Sequence, residues 1–261
     1  YVAKYRKAGQ FIIFMIDEFA ERIPLTIADS DAEKGTITLF YQIVGTSTMK
    51  LSRMKAGESL FSIVGPLGHP TEIENYGTVV CVGGGIGIAP LFPISKAMKA
   101  AGNRVINILG ARSGELLILE DEMYSIGDSN VTCTDDGTKG RKGYVTDILK
   151  EIIELERVDL VVAIGPVPMM KAVSSMTKEA GIKTIVSLNS VMIDGTGMCG
   201  GCRVTVGGET KFTCVDGPEF DGHLVDFDGL SNRLKTYHAE ESQSYESYKH
   251  KCKLDGVKAH E

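Results

Sequence analysis

From residue 1 to about residue 72, short apolar runs alternate with turn residues, at 11–16, 25–28, 36–44 and 60–64. Almost no helical periodicity interrupts them, and this spacing predicts a small antiparallel barrel. The texture changes near residue 73. Strand-like runs at 78–82, 104–109, 130–134, 160–164 and 183–188 alternate with helical patterns near 90–101, 114–126, 145–156 and 168–180. Such alternation predicts a doubly wound parallel sheet over 73–190. Residues 191–230 are rich in glycine, short of apolar runs and cysteine-bearing, and so small a subdomain needs a metal-type staple. Residues 231–261 form a polar tail with a helical look. The fold class expected is therefore α/β plus all-β.

Composition narrows the function. The 261 residues are 43% hydrophobic and 24% charged, as in globular proteins, with a net charge of −6. An acidic balance argues against nucleic acid as the main partner. The longest apolar stretch, 78–94, is broken by four glycines and a proline before residue 91, so no segment reads as a membrane span. With no leader-like segment, a cytoplasmic location is expected. The chain opens on Tyr1 in what reads as mid-domain sequence, so N-terminal residues are expected to be missing. Six cysteines are too few for a disulfide scaffold. Cys81 and Cys133 lie in apolar runs and read as core, whereas Cys252, near the tail, reads equally as a free thiol or a partner contact.

The remaining three cysteines carry chemistry. Asp194, Cys199, Cys202 and Cys214 stand in the spacing D-x4-C-x2-C-x11-C. Plant-type [2Fe–2S] proteins use C-x4-C-x2-C with a more distant fourth cysteine, so the spacing is theirs with Asp194 first. Gly195, Gly197, Gly200 and Gly201 suit a loop whose backbone must come close to inorganic sulfide. Structural zinc on the three thiols with Asp194 or His223 is the alternative, although neither a repeated C-x2-C pair nor a spaced His pair is present. Asp194 reads either as the fourth ligand or as an ordinary Asp-Gly turn.

A second motif runs from Val79 to Pro90: an apolar strand, then Gly83, Gly84, Gly85 and Gly87, then a proline at a helix start. Glycines let backbone approach a pyrophosphate, and the helix N-terminus offers free N–H groups. Asp135 and Asp136 follow the third strand of this region, and Gly165 and Pro166 follow the fourth. Ligands of open α/β sheets bind at these carboxyl edges. The loops together point to NAD(H) or NADP(H). Arg112 would suit a 2′-phosphate and Glu115 stands nearby, which leaves the choice open.

A third set lies upstream: Arg22, Pro24, Leu25 and Thr26, the turn Val44, Gly45, Thr46, Ser47 and Thr48, and the run from Gly65 to Gly68. With the glycine loop, these resemble the flavin-binding half of the ferredoxin–NADP reductase superfamily. The resemblance implies an FAD-binding barrel in which Arg22 meets the FAD pyrophosphate. It also implies that Thr26 stands beside flavin N5 as the catalytic hydroxyl and that the turn at 44–48 contacts phosphate. All three regions in this order, with the segment from Cys214 to His223, are more narrowly similar to two groups. These are the small subunits of NADH-dependent reduced ferredoxin:NADP oxidoreductase (also called sulfide dehydrogenase) and electron transfer subunit K of dihydroorotate dehydrogenase. Subunit K has cysteine at the first ligand position, so Asp194 favours the former. Ile164 departs from the superfamily, where a cysteine often sits beside the nicotinamide.

The expected activity is that of an NAD(P)H oxidoreductase subunit passing electrons between nicotinamide, FAD and the cluster. The resemblance implies a larger iron–sulfur flavoprotein partner in a heterodimer and, indirectly, ferredoxin. The electron-transfer subunit of a dihydroorotate or sulfide dehydrogenase is the nearest alternative, and a non-catalytic redox sensor is an alternative of another class.

Overall fold

The computed structural model describes residues 1–258, with side chains described to residue 250, so the side chain of Cys252 lies outside the described residues. The N-terminal part contains α1 (Val2–Tyr5), β1 (Phe11–Met15), β2 (Ile23–Thr26), β3 (Asp29–Asp31), β4 (Thr36–Thr38), α2 (Thr46–Leu51) and β5 (Ser62–Leu67). Strand β1 is central, with β2 and β5 antiparallel on either side, and β3 and β4 form a separate hairpin. The period-2 geometry of β1 gives it two apolar faces. Ile12 and Phe14 pack with Ile27, whereas Phe11 and Ile13 pack with Met192, Cys202 and Cys214. One strand thus joins the N-terminal core to the cysteine loop.

Three expectations need correction here. The second strand begins at Ile23 rather than residue 25, and the run at 36–44 leaves the ladder after Thr38. Two helices, α1 and α2, stand where none was expected. Both are too short for hydrophobic periodicity to reveal them.

The large sheet comprises β6 (Thr78–Gly84), β7 (Arg104–Ala111), β8 (Ser129–Thr134), β9 (Arg141–Lys142), β10 (Leu160–Ile164), β11 (Lys183–Ser187) and β14 (Glu219–Asp221). Its order is β14-β11-β10-β6-β7-β8-β9, and every pairing is parallel except β11–β14. Helices α3 (Ile88–Ala100), α4 (Glu120–Ile126), α5 (Val145–Leu155) and α6 (Val167–Glu179) cover the two faces. Burial on both faces explains the unbroken apolar run of β6: Val80 and Val82 enter one core, Val79 and Cys81 the other. The helix expected over 114–126 is only its second half. Leu119 is left-handed at φ 55, because Leu117, Ile118 and Leu119 turn inward against the α3 core.

Beyond the sheet, β12 (Arg203–Val206) and β13 (Glu209–Phe212) form a hairpin, followed by β14, α7 (Phe227–Leu234) and α8 (His238–Lys258). Gly207 and Gly208, both at positive φ, make its two-residue turn. Strand β14 comes from the cysteine-bearing region yet completes the edge of the large sheet. Helix α8 lies against α2, where Thr46 Oγ1 and Ser244 Oγ are 3.1 Å apart.

Glu219 on β14 is half-buried, and its carboxylate accepts a 2.6 Å hydrogen bond from the Thr71 hydroxyl. Among the described residues no cation pairs with it. Burial pushes its carboxyl up to about 7, with Thr71 opposing and Glu72 adding a little. A raised carboxyl pKa means that the folded state binds the extra proton between the ordinary value of 4.5 and about 7, so stability falls as pH rises through that window. Going from pH 5 to pH 8, the wild type should lose on the order of 2 kcal/mol relative to Glu219→Gln. Urea unfolding of both proteins at the two pH values checks this.

Candidate functional site

The cysteine loop from Asp194 to Cys202 turns at three glycines of positive φ, Gly195, Gly197 and Gly200. Gly195 is also the tightest of the three, because a Cβ there would stand 2.4 Å from Ile13 Cδ1. Cys202 and Cys214 are buried with their sulfurs 3.2 Å apart, and Cys199 is exposed. Burial, with the Cys202 thiol beside it, pushes the Cys214 thiol up to about 12. Backbone amides aim at the sulfurs: Gly201 N–H donates to Cys199 Sγ at 3.4 Å and Cys214 N–H to Cys202 Sγ at 3.5 Å. The Asp194 carboxylate accepts 2.7 Å bonds from the amides of Thr196 and Cys199. These amides, Thr196 first, hold its carboxyl below the usual range.

This donor set fits an iron–sulfur cluster: one buried thiol pair, one exposed thiol, one ionised carboxylate, and N–H groups turned toward sulfur. Among the described residues no three His, Cys, Asp or Glu side chains converge on a point where a single ion would sit. His223, the other zinc-ligand candidate, is 3.0 Å from Thr177 Oγ1 instead. Asp194 performs the turn role with both oxygens, and free lone pairs remain on each.

Arg22 leads from this loop to the N-terminal sheet. Its Nε–H donates to Ile193 O at 2.7 Å, one terminal nitrogen to Asp194 O at 3.2 Å, and the other to Met15 Sδ at 3.7 Å. Three of its five N–H groups are engaged, and two remain. Pro24, Leu25 and Thr26 follow on β2, all half-buried, with Thr26 opposite Phe11. The turn from Val44 to Thr48 is the start of α2, where Thr48 Oγ1 accepts the amides of Val44 and Gly45. Ser47 donates to Glu21 at 2.6 Å, which brings this turn beside Arg22.

In the large sheet the strand order reverses between β10 and β6, and the crevice at their carboxyl ends is lined by both glycine loops. Gly87 has no room for a side chain: a Cβ would lie 2.3 Å from Ile164 O. Gly84 and Gly165 both lie against Met169, where added Cβ atoms would stand 2.5 and 2.8 Å from its Sδ and Cε. Met169 thus joins the two loops, as packing rather than as a ligand contact. Gly85, at φ 56, faces open space. Pro166 is exposed and caps α6. Asp135 is exposed, whereas Asp136 is taken up in its own turn by the amide and hydroxyl of Thr138.

A glycine loop at the switch point of a doubly wound sheet, a three-stranded sheet beside it and a cysteine loop define a ferredoxin-reductase-like electron-transfer protein. Residues 81–175 match the oxidoreductase NAD-binding domain, and residues 189–226 match the iron–sulfur cluster binding domain of dihydroorotate dehydrogenase B. The dihydroorotate dehydrogenase B (NAD(+)) electron transfer subunit homolog of Thermotoga maritima is 49% identical over 247 residues, 95% of this chain and 87% of that one. The Bacillus cereus electron transfer subunit is 36% identical, over 84% and 86%. The solved structure of an NADH-dependent reduced ferredoxin-NADP oxidoreductase, reported for flavin-based electron bifurcation, superposes with a TM-score of 0.90. It is 48% identical, over 95% of this chain and 89% of that one. The chain belongs to the family of dihydroorotate dehydrogenase B electron transfer subunits and their homologues.

Two residues that hold the cysteine loop were not legible in the sequence. Arg203 donates to Gly200 O and Arg233 to Gly201 O. No spacing rule links them to the cysteines, since one starts a hairpin and the other ends a helix.

Proposed function

We propose that this chain is the FAD- and [2Fe–2S]-bearing subunit of an NADH-dependent ferredoxin:NADP oxidoreductase. In this reading the N-terminal strands make the flavin-holding barrel, and residues 73–190 and 191–230 are the nucleotide and cluster domains. The observation that carries it is Arg22. The residue expected to hold the flavin pyrophosphate is bonded to the backbone of the cluster loop, so flavin and cluster would lie within one side chain's reach. When bound, FAD accepts a hydride from the nicotinamide and passes electrons singly to the cluster.

The chain's own residues bind and orient. Gly83, Gly84, Gly85 and Gly87 present backbone to the nucleotide phosphates, with Asp135, Gly165 and Pro166 on the rim. Arg22 has two N–H groups left for the flavin phosphates, and Val44, Gly45, Thr46 and Thr48 form the second phosphate turn. Thr26 lies on the strand expected to line the flavin ring. Cys202 and Cys214, already paired, would hold one iron, and Cys199 with Asp194 the other. The exposed Ile193 and Met198 beside exposed Cys199 form an apolar rim, which supports docking of a larger iron–sulfur flavoprotein there. The thiols of the five described cysteines are all free, in keeping with a reducing cytoplasm.

Anaerobic stopped-flow mixing with NADH tests the reading. The flavin band should bleach first and cluster absorbance should follow. A bound flavin that stays oxidised with excess NADH and NADPH would rule out the enzyme.

A further inference from the structure

We infer that Arg203 and Arg233 are positioning residues that set the reduction potential of the cluster by clamping the backbone between Cys199 and Cys202. The inference rests on the cluster reading above. Arg203 enters from the start of β12 and its guanidinium donates to Gly200 O at 3.1 Å. Arg233 enters from the last turn of α7 and donates to Gly201 O at 2.9 Å. The two side chains line one cleft of about 250 Å³ between β12 and α7. Two elements far apart in sequence therefore deliver cations to consecutive carbonyls of the same loop.

The direction of the peptide groups gives the clamp its effect. Gly200 O belongs to the same peptide as Gly201 N–H, and that N–H donates to Cys199 Sγ at 3.4 Å. Holding the carbonyl outward with a guanidinium holds the amide inward on the sulfur. The cation also polarises the peptide and strengthens the N–H as a donor. Gly201 O likewise belongs to the peptide that carries Cys202 N–H. Gly200 itself is at φ 64, a conformation that a guanidinium on its carbonyl helps to retain.

Charge acts in the same direction. A reduced cluster carries one more negative charge than the oxidised one, so nearby cations and N–H donors to sulfur favour reduction. The bonds of the two guanidinium groups go to the loop carbonyls and not to a thiol or the Asp194 carboxylate, so they would act on the cluster through the loop and through their charge. Removing them should lower the potential and loosen the loop.

The test is an anaerobic EPR-monitored redox titration of the whole protein, with iron and sulfide counts, on wild type, Arg203→Lys, Arg203→Gln and Arg203→Gln/Arg233→Gln. The double variant should show about a tenfold shift of the one-electron equilibrium toward the oxidised cluster, ~59 mV lower. Arg203→Gln should fall part of the way, and Arg203→Lys, which keeps the charge, should stay nearer the wild type. Should the double variant fail to keep its cluster, the single variants carry the measurement. Wild-type potential in a fully loaded Arg203→Gln overturns the clamp. Wild-type protein without iron and sulfide overturns the cluster reading instead, so the two failures are distinguishable.

Discussion

Cys202→Ser is expected to purify with little iron or sulfide, against roughly two irons per chain in the wild type. Cys202 is buried at 1% exposure, in contact with Cys214, and both pack against Phe11, Ile13 and Met192. A serine hydroxyl there has no good acceptor once the sulfur pair is broken, and it leaves Cys214 facing an apolar wall. Partners one step removed from a metal already contribute about 10–100-fold to its affinity, so loss of a buried ligand exceeds that. Because β1 packs directly on this pair, the damage should spread to the N-terminal sheet and lower thermal stability. Asp194→Cys should behave differently: it keeps the iron while changing the EPR spectrum and potential. Iron and sulfide analysis with circular dichroism melts checks both variants, and an Asp194→Cys protein with unaltered EPR and potential would mean that Asp194 is only a turn.

Gly87→Ala should have the second large effect, on the nucleotide. Gly87 has ordinary helical dihedrals, so its requirement is one of space alone. The added methyl would meet three backbone atoms, Ile164 O at 2.3 Å, Ile164 C at 2.7 Å and Gly165 Cα at 2.8 Å, none of which moves without β10. A clash of this kind costs about 3 kcal/mol and separates the two loops that form the crevice. NADH affinity should fall at least about tenfold, equivalent to 1.4 kcal/mol. Gly85→Ala is the contrasting variant. It has open space but a left-handed φ of 56, so it should cost only about 1–2 kcal/mol. Isothermal titration with NADH, alongside urea unfolding, checks the pair; equal losses in the two variants would contradict the packing account.

The parallel sheet was largely legible from sequence because its strands are buried on both faces. The run at 160–164 is β10 to the residue, and α5 and α6 lie within a residue or so of their expected bounds. Periodicity failed where tertiary packing decides the path. Leu119 breaks a helical pattern because its neighbours are drawn under α3. Strand β14 has only three residues, and only its pairing with β11 defines it. At the site, spacing identified the three cysteines but left Asp194 between ligand and turn. The structure gives it the turn, through the amides of Thr196 and Cys199, and ligation by its remaining lone pairs is a proposal. Arg22 was expected at a flavin, and its bonds to the cysteine loop follow from a contact between residues 171 and 172 positions apart, which no local pattern encodes.

The central claim is that one chain holds flavin and cluster in electronic contact. The most direct measurement is EPR and visible absorption of anaerobically purified protein before and after NADH, with flavin, iron and sulfide counted on the same sample. The account predicts one FAD and a [2Fe–2S] complement per chain, loss of the flavin bands on adding NADH, and an EPR signal from the reduced cluster. A colourless protein carrying zinc, or a cluster that stays EPR-silent while the flavin is fully reduced, would contradict it.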